Sequence, residues 1–571
     1  MKADKVLKNG KVFSVAADGS RISGSAVAIA GGKIAAVGDW EDMQPFMEDS
    51  TEIIDCRGNT ILPGLCDAHC HAAWTASFHI SCDLFNVYYE DGETAEDVIE
   101  KYKDRVAKYI RENPGHEIIR GIGWNLAHFN GSTGETRLPS RHDLDRLSTE
   151  KPIILESYCQ HNIWVNTKAI EMAGLSAATE TPDSGRFTRE RDGYPAGMFS
   201  EMSAIDLIKK GIKNYDYTVE QYKASFLRYQ KELANLYGVT LIQDCLCTEN
   251  ARQAYKELAE EGRLTLRVRG VHAIDRSTAE EDLQALRAAK GSWDVGDLYG
   301  IRTAKLFMEG EFYMLEPFEP EIQETLGRPA DYTGSAFWTR EDGAYYMAEA
   351  MKEGLQVHLH AMGDAAVKLA VDCIEDARKI CPGTGRDVVA HVMAVPEDYY
   401  EKMGKMGLIC ACQPRWAVYD TDVEDFYIPY VGARRALKFF PIGKLTRAGC
   451  TVAYGTDFPV TPPPNPFHEI QCALTRSVFR DAPDHERFKG RVLGVPEDLY
   501  ADCVGLSEAV KSLSYNGAYQ MFLEEITGSI EVGKSADLVI LQRDLENTAA
   551  EEIYDTKVEK TIFKGEVVYQ S

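Results

Sequence analysis

The chain has 571 residues, 44% of them hydrophobic, which fits a globular enzyme built from a barrel with attached domains. It carries 63 lysine and arginine residues against 89 aspartate and glutamate residues, and the net charge of −26 argues against nucleic acid or an anionic membrane as a partner. No uninterrupted apolar stretch of about 18 residues occurs, so the sequence predicts no transmembrane helix.

Two features of the sequence bear on its compartment. The first residues, 1–7, lack the long apolar segment of a signal peptide. The 14 cysteines do not show the spacing of a small disulfide-bonded domain, which favours reduced thiols. We therefore expect a cytoplasmic protein.

The two ends of the chain carry similar strand patterns. Asn9-Gly10 and Gly31-Gly32 each lie between apolar runs, as in β-hairpins, and further short strands follow residue 535. Neither end has enough strands for a domain by itself. We predict one small β-sandwich assembled from residues 1–60 and 525–571.

An apolar run beginning at Ile61 ends in His69 and His71. The run is typical of a buried strand, and residues i and i+2 of a strand point to the same face. Two imidazoles on one side of a strand end suit a cation such as Zn²⁺. Because His-x-His is common by chance, a metal site also requires ligands from elsewhere in the chain.

Seven more short apolar runs follow, most of them succeeded by a helical pattern. Eight repeats of strand and helix predict an α/β fold, a (β/α)8 TIM-like barrel, over residues 61–73 and 216–524. The seven runs are 238–244, 265–271, 301–307, 355–360, 387–391, 408–413 and 451–457.

The connection between the first two barrel strands is far too long for one unit. About 165 residues separate them, whereas a βα unit needs roughly 30. Residues 74–215 therefore read as an inserted subdomain. It leaves the barrel at the carboxyl end of the first strand, where barrel enzymes hold their active sites, so we expect it to bind substrate or act as a lid.

Potential metal ligands recur at the predicted strand ends. Nitrogen and oxygen donors on five strands should meet at one end of the barrel, which predicts a metal site. These residues are His69, His71, Lys305, His360, His391 and Asp457.

The sequence resembles the amidohydrolase superfamily, and within it the "amidohydrolase 3" branch related to N-substituted formamide deformylases. The motifs that carry this resemblance span nearly the whole chain, with Thr-Asp-Phe-Pro in place of the usual Ser-Asp-Trp-Pro and Glu309-Gly310 in place of Asp-Gly. They are Pro63-Gly64-Leu65-Cys66-Asp67-Ala68-His69-Cys70-His71, Arg141-His142-Asp143-Leu144-Asp145, His161-Asn162-Ile163-Trp164-Val165-Asn166, His360-Ala361-Met362-Gly363-Asp364, Gln413-Pro414, Thr456-Asp457-Phe458-Pro459, Gly528-Ser529-Ile530 and Gly533-Lys534-Ser535-Ala536-Asp537-Leu538.

The resemblance implies a role for each predicted ligand. His69, His71 and Asp457 would bind one metal ion, His360 and His391 a second, and Lys305, carboxylated on its amine, would bridge the two. The cofactor is then one or two Zn²⁺ ions, with Mn²⁺, Co²⁺ or Fe²⁺ as alternatives, and family members often pair as homodimers. If Lys305 is instead paired with Glu309, a single-metal site remains.

Several further residues have two interpretations. Asp457 is expected to move a proton from the attacking water to the leaving amine as well as to bind metal. His161 either reaches the substrate carbonyl or hydrogen-bonds to Asn166 in the inserted subdomain. The aromatic residues expected to bind substrate, which could instead be packing residues, are Trp124, Trp416 and Phe458. We expect His358 to lie deeper than His360, behind the metal ligands.

We conclude that the sequence predicts a metal-dependent hydrolase that cleaves the C–N bond of a small N-substituted amide of the formamide or N-acyl type. A cyclic amidohydrolase or a deaminase on the same barrel is the alternative. Deaminases of this architecture typically carry a glutamate soon after the strand-five histidine, and the stretch from His360 to Ala366 has none. A non-catalytic scaffold would have no reason to keep every ligand.

Overall fold

The computed structural model describes residues 2–85, 87, 92–130, 137–182, 185–289, 291–310, 312–325 and 327–571. The chain divides into two compact units. The first comprises Met1–Ala72 and Leu227–Ser571, and the second comprises Ala73–Phe226. The second unit corresponds to the predicted insertion but extends eleven residues further along the chain than residue 215.

Eight parallel strands form the barrel of the first unit, and each pairs with its neighbours in chain order. The last strand meets the first through backbone hydrogen bonds just beyond it, from Asp457 N to His69 O (2.8 Å) and from His71 N to Phe458 O (2.7 Å). The predicted (β/α)8 fold is confirmed. The strands are Leu65–Cys70, Val239–Asp244, Arg267–Ala273, Tyr299–Phe307, Gln356–Ala361, Val388–His391, Ile409–Cys412 and Thr451–Tyr454.

Helices follow barrel strands two to eight. Their apolar residues are buried against the strands, as in Asp364–Ile380, where Val367, Ala370 and Val371 are all buried. The principal helices after these strands are Glu249–Glu260, Ala279–Ala288, Arg340–Lys352, Asp364–Ile380, Tyr399–Lys405, Ile442–Arg447 and Pro466–Thr475. Shorter helices are Trp40–Met43, Pro320–Thr325, Ile428–Val431, Ala433–Ala436, His485–Phe488, Leu506–Ser512 and Tyr515–Gln520.

The single strand predicted from Ile61 to His69 is two strands. Thr60–Pro63 pairs with Leu538–Leu541 in a terminal sheet, and Leu65–Cys70 opens the barrel. Gly64 lies between them, and a Cβ atom there would lie 2.1 Å from Thr240 Oγ1. Glycine is therefore required where the chain passes from one sheet to the other.

Two terminal sheets, one of which contains strands from both ends of the chain, enclose a core that includes Leu7, Ile29, Leu538 and Ile562. In order across the first sheet, the strands are Lys33–Gly38, Ala26–Ala30, Lys5–Lys8 and Glu52–Asp55. In order across the second sheet, the strands are Lys11–Val12, Thr60–Pro63, Leu538–Leu541, Val558–Phe563 and Glu566–Gln570. Ser14–Val15 and Arg21–Ile22 form a separate hairpin.

The second unit is built on a mixed six-stranded sheet with a core of its own. Trp124, Phe129 and Trp164 lie in that core. In sheet order the strands are Cys82–Asp83, Ile119–Trp124, Ile153–Ser157, Asn162–Val165, Pro195–Ser200 and Arg186–Arg189. Its helices are Thr75–Ile80, Ala95–Glu112, Arg141–Asp145, Thr167–Met172 and Met202–Lys209, and Val219–Tyr229 continues from this unit into the first.

Within the part of the chain that the structure describes, no helix combines the length and the apolar character needed to cross a membrane. All 14 cysteines are free thiols, and most of them are buried.

Candidate metal centre

His69 and His71 lie at the carboxyl end of the first barrel strand, and both are buried. Their rings are 5.4 Å apart. Both Nε2 atoms approach the same carboxylate oxygen, Asp457 Oδ1, at 3.4 Å from His69 and 3.1 Å from His71. The strand therefore brings the two imidazoles together as its side-chain alternation predicts.

Asp457 follows the last barrel strand and has left-handed backbone, with φ of 54°. His391, the last residue of the sixth strand, also has positive φ, 72°. Such backbone is unfavourable for residues other than glycine, and it occurs most often where a site imposes it. Here the left-handed backbone at the strand ends sets the direction of the Asp457 and His391 side chains.

His391 lies between the other histidines. Its ring is 4.7 Å from that of His69 and 4.6 Å from that of His360. Its Nδ1 is 2.9 Å from Gln413 Oε1, an acceptor, so Nδ1 carries the proton and Nε2 keeps its lone pair. Burial lowers the pKa of His391 to about 4, which keeps the ring neutral and able to bind metal.

Lys305 is buried, and its Nζ is 3.4 Å from His69 Nε2. Burial lowers the pKa of its amine below the usual value. The alternative ion pair with Glu309 is not formed. Glu309 instead accepts backbone N–H groups from Tyr313 (2.7 Å), Gly363 (3.2 Å) and Met362, and so fixes the loop after His360.

The donor set fits a divalent metal ion. Ligand atoms of His69, His391 and Asp457 all lie within 4.8 Å of one another and are buried. Asp457 Oδ1 makes no hydrogen bond of good geometry within the described residues, as expected of an oxygen aimed at a cation. Burial opposes ionisation, but contact with His71 holds the pKa of Asp457 below its usual value, so the carboxylate is anionic.

His358 lies behind His69, as its place on the strand predicts. Its Nε2 is 2.9 Å from His69 Nδ1, which is a hydrogen-bond distance. Cys245 Sγ is 4.0 Å from His358 Nε2. Together the three residues form a second buried cluster of potential metal ligands. Cys245 was not singled out from the sequence, because nothing in the spacing of Cys245 distinguishes it from the other buried cysteines.

Two of the three predicted substrate-binding aromatic residues lie in the same unit as the candidate metal ligands. Trp416 stacks on His391, with ring centroids 5.4 Å apart, and donates its indole N–H to Thr461 Oγ1 (2.7 Å). Phe458, next to Asp457, is buried and stacks on Tyr229 at 5.8 Å.

Trp124 and His161 belong to the second unit. Trp124 is wholly buried in the core of that unit and donates its indole N–H to Leu155 O, so it is a packing residue and not the substrate contact we predicted. His161 does not bond to Asn166, whose side-chain oxygen accepts from Ala169 N at the start of a helix. Its Nδ1 is 3.0 Å from Glu201 Oε2.

Comparison with known proteins gives the same family as the sequence motifs. The sequence model of the amidohydrolase family matches residues 52–569. The N-substituted formamide deformylase of Arthrobacter pascens is 25% identical over 99% of this chain and 98% of its own length. YtcJ of Bacillus subtilis (strain 168) is 26% identical over the full length of both chains. An uncharacterized metal-dependent hydrolase from Pyrococcus horikoshii OT3 shares the fold, with a TM-score of 0.72 and 23% identity over 96% of this chain and 99% of its own.

Proposed function

Because the chain belongs to the amidohydrolase family and is a hydrolytic enzyme, we propose that it cleaves the C–N bond of a small N-substituted amide of the formamide or N-acyl type. The convergence of buried imidazoles and an anionic carboxylate at one end of the barrel carries this proposal. The full-length similarity to a formamide deformylase supports the substrate class.

His69, His71, His360, His391 and Asp457 would hold one or two divalent ions, most simply Zn²⁺. When bound, the metal supplies Lewis-acid chemistry, because it makes hydroxide available at neutral pH and polarises a carbonyl. Asp457 accepts the proton of the attacking water and passes it to the leaving nitrogen. Apart from His360, these residues are buried, which excludes bulk water and strengthens their electrostatic contacts.

Lys305 is proposed to react with CO2 to give a carbamate. A buried amine with a lowered pKa is more often neutral, and the neutral amine is the nucleophile that forms the N–C bond and releases a proton. The product is an anionic oxygen donor of the kind that divalent ions bind, whereas an ammonium group has no lone pair to offer.

Substrate recognition is assigned to Trp416, Phe458 and His161, as the sequence predicts. Trp416 and Phe458 lie beside the ligands His391 and Asp457 and would contact the amide or its substituent. His161 would hydrogen-bond to the substrate carbonyl.

The experiment is a screen of the purified chain against N-formyl, N-acyl and cyclic amides, with the product amine detected. We expect turnover of an N-formyl or simple N-acyl amide that chelation abolishes and Zn²⁺, Mn²⁺ or Co²⁺ restores. Asp457→Asn should lower kcat/KM by on the order of 100-fold or more, because the proton acceptor is lost.

Two other results would contradict the proposal. If no amide is hydrolysed after metal is restored, the amide hydrolase assignment fails. If ammonia is released from an aminopurine and no amine from any acyclic amide, the deaminase alternative is favoured.

A further inference from the structure

A cavity of about 510 Å³ lies in the first unit, and none of the candidate metal ligands lines it. Its walls are formed by residues 236–237, the turn that contains Arg415, the helix Pro466–Thr475 with the loop after it, and residues 542–571. Cavities that bind small molecules usually measure about 300–1,000 Å³. The proposed function does not use this space, although it is large enough for a small ligand.

Arg415 brings a positive charge to the cavity. Its Nη1 donates to Pro462 O at 2.8 Å, and its guanidinium lies 5.5 Å from the ring centroid of Phe479. Within the described chain, no carboxylate pairs with Arg415, and its Nε and Nη2 make no hydrogen bond. These two groups form the edge of the guanidinium that binds a carboxylate through two parallel hydrogen bonds. Arg415 can therefore pair with a carboxylate in the cavity.

The charges that act on the buried groups of the cavity are positive. Burial, and then the charges of Arg415 and Lys557, lower the pKa of His468 to about 3, so its imidazole is neutral. Burial raises the pKa of Tyr237, and the same two cations oppose that rise. Among the described residues, no carboxylate shifts the pKa of either group appreciably. The interior of the cavity therefore favours an anion.

Two carboxylates, those of Asp481 and Asp555, line the cavity as well. Asp481 is exposed. Asp555 Oδ1 is 3.1 Å from Lys557 Nζ, and these two side chains are 45% and 67% exposed, respectively. Both carboxylates therefore lie at the solvent-facing rim, and that of Asp555 is already paired. The positive charge of Arg415 is left for a ligand.

Two buried polar atoms of the cavity wall lack partners. His468 Nδ1 and Thr556 Oγ1 make no hydrogen bond within the residues that the structure describes, and Thr556 is 3% exposed. Such atoms are rare in folded proteins and call for an explanation such as a bound water or ion. A neutral imidazole nitrogen and a hydroxyl both suit a polar group on a bound molecule.

An aromatic surface completes the cavity. The rings of Phe479 and Tyr554 are stacked, with centroids 5.5 Å apart and planes 18° apart, and the ring of His468 lies 4.3 Å from that of Phe479. All three residues line the cavity. Because aromatic rings stack favourably on one another, this surface suits a flat ring.

We propose that this cavity binds a planar organic anion of the aromatic carboxylate class. The carboxylate pairs with the Nε–Nη2 edge of Arg415, the ring packs against Phe479 and Tyr554, and a polar substituent bonds to Thr556. This is a second small-molecule site in the chain, and it does not depend on the proposed function.

The test uses 4-fluorobenzoate as the probe, with binding followed by fluorine-19 NMR of the purified chain. The probe should bind equally well to the Zn²⁺-loaded and the chelator-treated chain, because no candidate metal ligand lines the cavity. The neutral 4-fluorobenzyl alcohol should bind about 10-fold more weakly or worse, because it cannot form a charge-assisted pair. Cyclohexanecarboxylate, which has the charge but no flat ring, should displace the probe less well than benzoate does.

Variants locate the probe in the cavity. Arg415→Gln should raise the Kd of 4-fluorobenzoate by about 10-fold or more, because the charged partner is lost. Arg480→Gln is the matched control and should leave the Kd unchanged, since Arg480 Nε donates to the Tyr554 hydroxyl at 3.1 Å but Arg480 does not line the cavity. Thr556→Val, which replaces the hydroxyl by a methyl group, should raise the Kd of 4-hydroxybenzoate by about 2- to 10-fold.

Several results would overturn the proposal. They are no binding of 4-fluorobenzoate to the wild type at ~10 mM, binding that disappears on chelation, and a wild-type Kd in Arg415→Gln. Equal displacement by cyclohexanecarboxylate and benzoate would refute the aromatic class. If Arg415→Gln lowers the urea midpoint of unfolding, Thr556→Val decides, and a wild-type Kd for 4-hydroxybenzoate in that variant refutes the site.

Discussion

At the scale of single residues, the candidate ligand His69 is in contact with the residue behind it. His358 Nε2 is 2.9 Å from His69 Nδ1, and both side chains are wholly buried. If His69 binds metal through Nε2, its Nδ1 carries a proton that must be accepted. His358 is the group that accepts it, and so it holds the ligand in the correct tautomer and orientation.

Replacing His358 should therefore weaken metal binding while the other ligands stay in place. We expect His358→Leu to lose about 10- to 100-fold in Zn²⁺ affinity, measured by competition with a chromophoric chelator. His358→Gln, whose side-chain oxygen can accept the same proton, should lose less. Equal losses in both variants would show that His358 contributes only packing.

Residue geometry also limits what the sequence could predict. The six candidate ligands could be assigned to one end of the barrel, because alternating strands and helices bring the strand ends together. The left-handed backbone of His391 and Asp457 had no sequence signal, since neither is glycine. The burial of Trp124 was equally hidden, because a tryptophan in a mixed sequence fits a core as well as a pocket.

At the scale of elements, a buried carboxylate holds the turn that carries Trp416. Glu469, on the helix Pro466–Thr475, is 1% exposed and accepts the backbone N–H of Arg415 at 2.8 Å. Burial raises the pKa of Glu469 to about 8, so its neutral form predominates in the folded protein at neutral pH. The helix is thereby linked to the turn Pro414–Trp416.

This shift predicts a pH-dependent stability with a definite sign. The folded state holds a proton that the unfolded state has lost, so the contribution is complete below the unfolded pKa of 4.5 and disappears as pH rises through about 8. The slope from this group approaches about 1.4 kcal/mol per pH unit within that window. Urea titrations should show a shallower decline for Glu469→Gln than for wild type between these limits. Parallel curves would contradict the assignment.

A buried ion pair links the barrel to the terminal sheets. Arg267 on the third barrel strand donates to Asp537, just before Leu538–Leu541, at 2.6 Å, and both side chains are wholly buried. Removing one partner leaves the other charge buried and uncompensated. Arg267→Met should lower the free energy of unfolding by about 3–5 kcal/mol in urea titrations.

The exposed pair formed by Lys564 and Asp297 (3.0 Å) offers the control for Arg267→Met. Because water screens it, Lys564→Met should cost less than about 1 kcal/mol. A similar cost for both variants would mean that burial does not strengthen the Arg267 contact.

At the scale of the whole molecule, metal binding should stabilise the folded chain. A ligand that binds only the folded state contributes about 2.7 kcal/mol when its concentration is 100 times its Kd. Chelation should therefore lower the midpoint of thermal unfolding, and added Zn²⁺ should restore it. Asp457→Asn should show a smaller difference, whereas identical midpoints with and without chelator in the wild type would argue against a metal centre.

The barrel and the shared terminal strands could be predicted from the sequence because each rests on a repeated local pattern. The break of the first strand at Gly64 could not, since Ile61 to His69 reads as one continuous apolar run. The contact between His161 and Glu201 depends on a strand register, which a sequence without an alignment does not reveal.

The hydrogen bonds that join Asp457 N to His69 O and His71 N to Phe458 O form the seam of the barrel. Three of the four residues at this seam, His69, His71 and Asp457, are also candidate metal ligands, so closing the barrel brings these three donors together. An apo chain that has closed its barrel already has these donors in place, and metal uptake then requires little rearrangement. Conversely, an insertion at the seam would remove the catalytic site and the closure of the fold together.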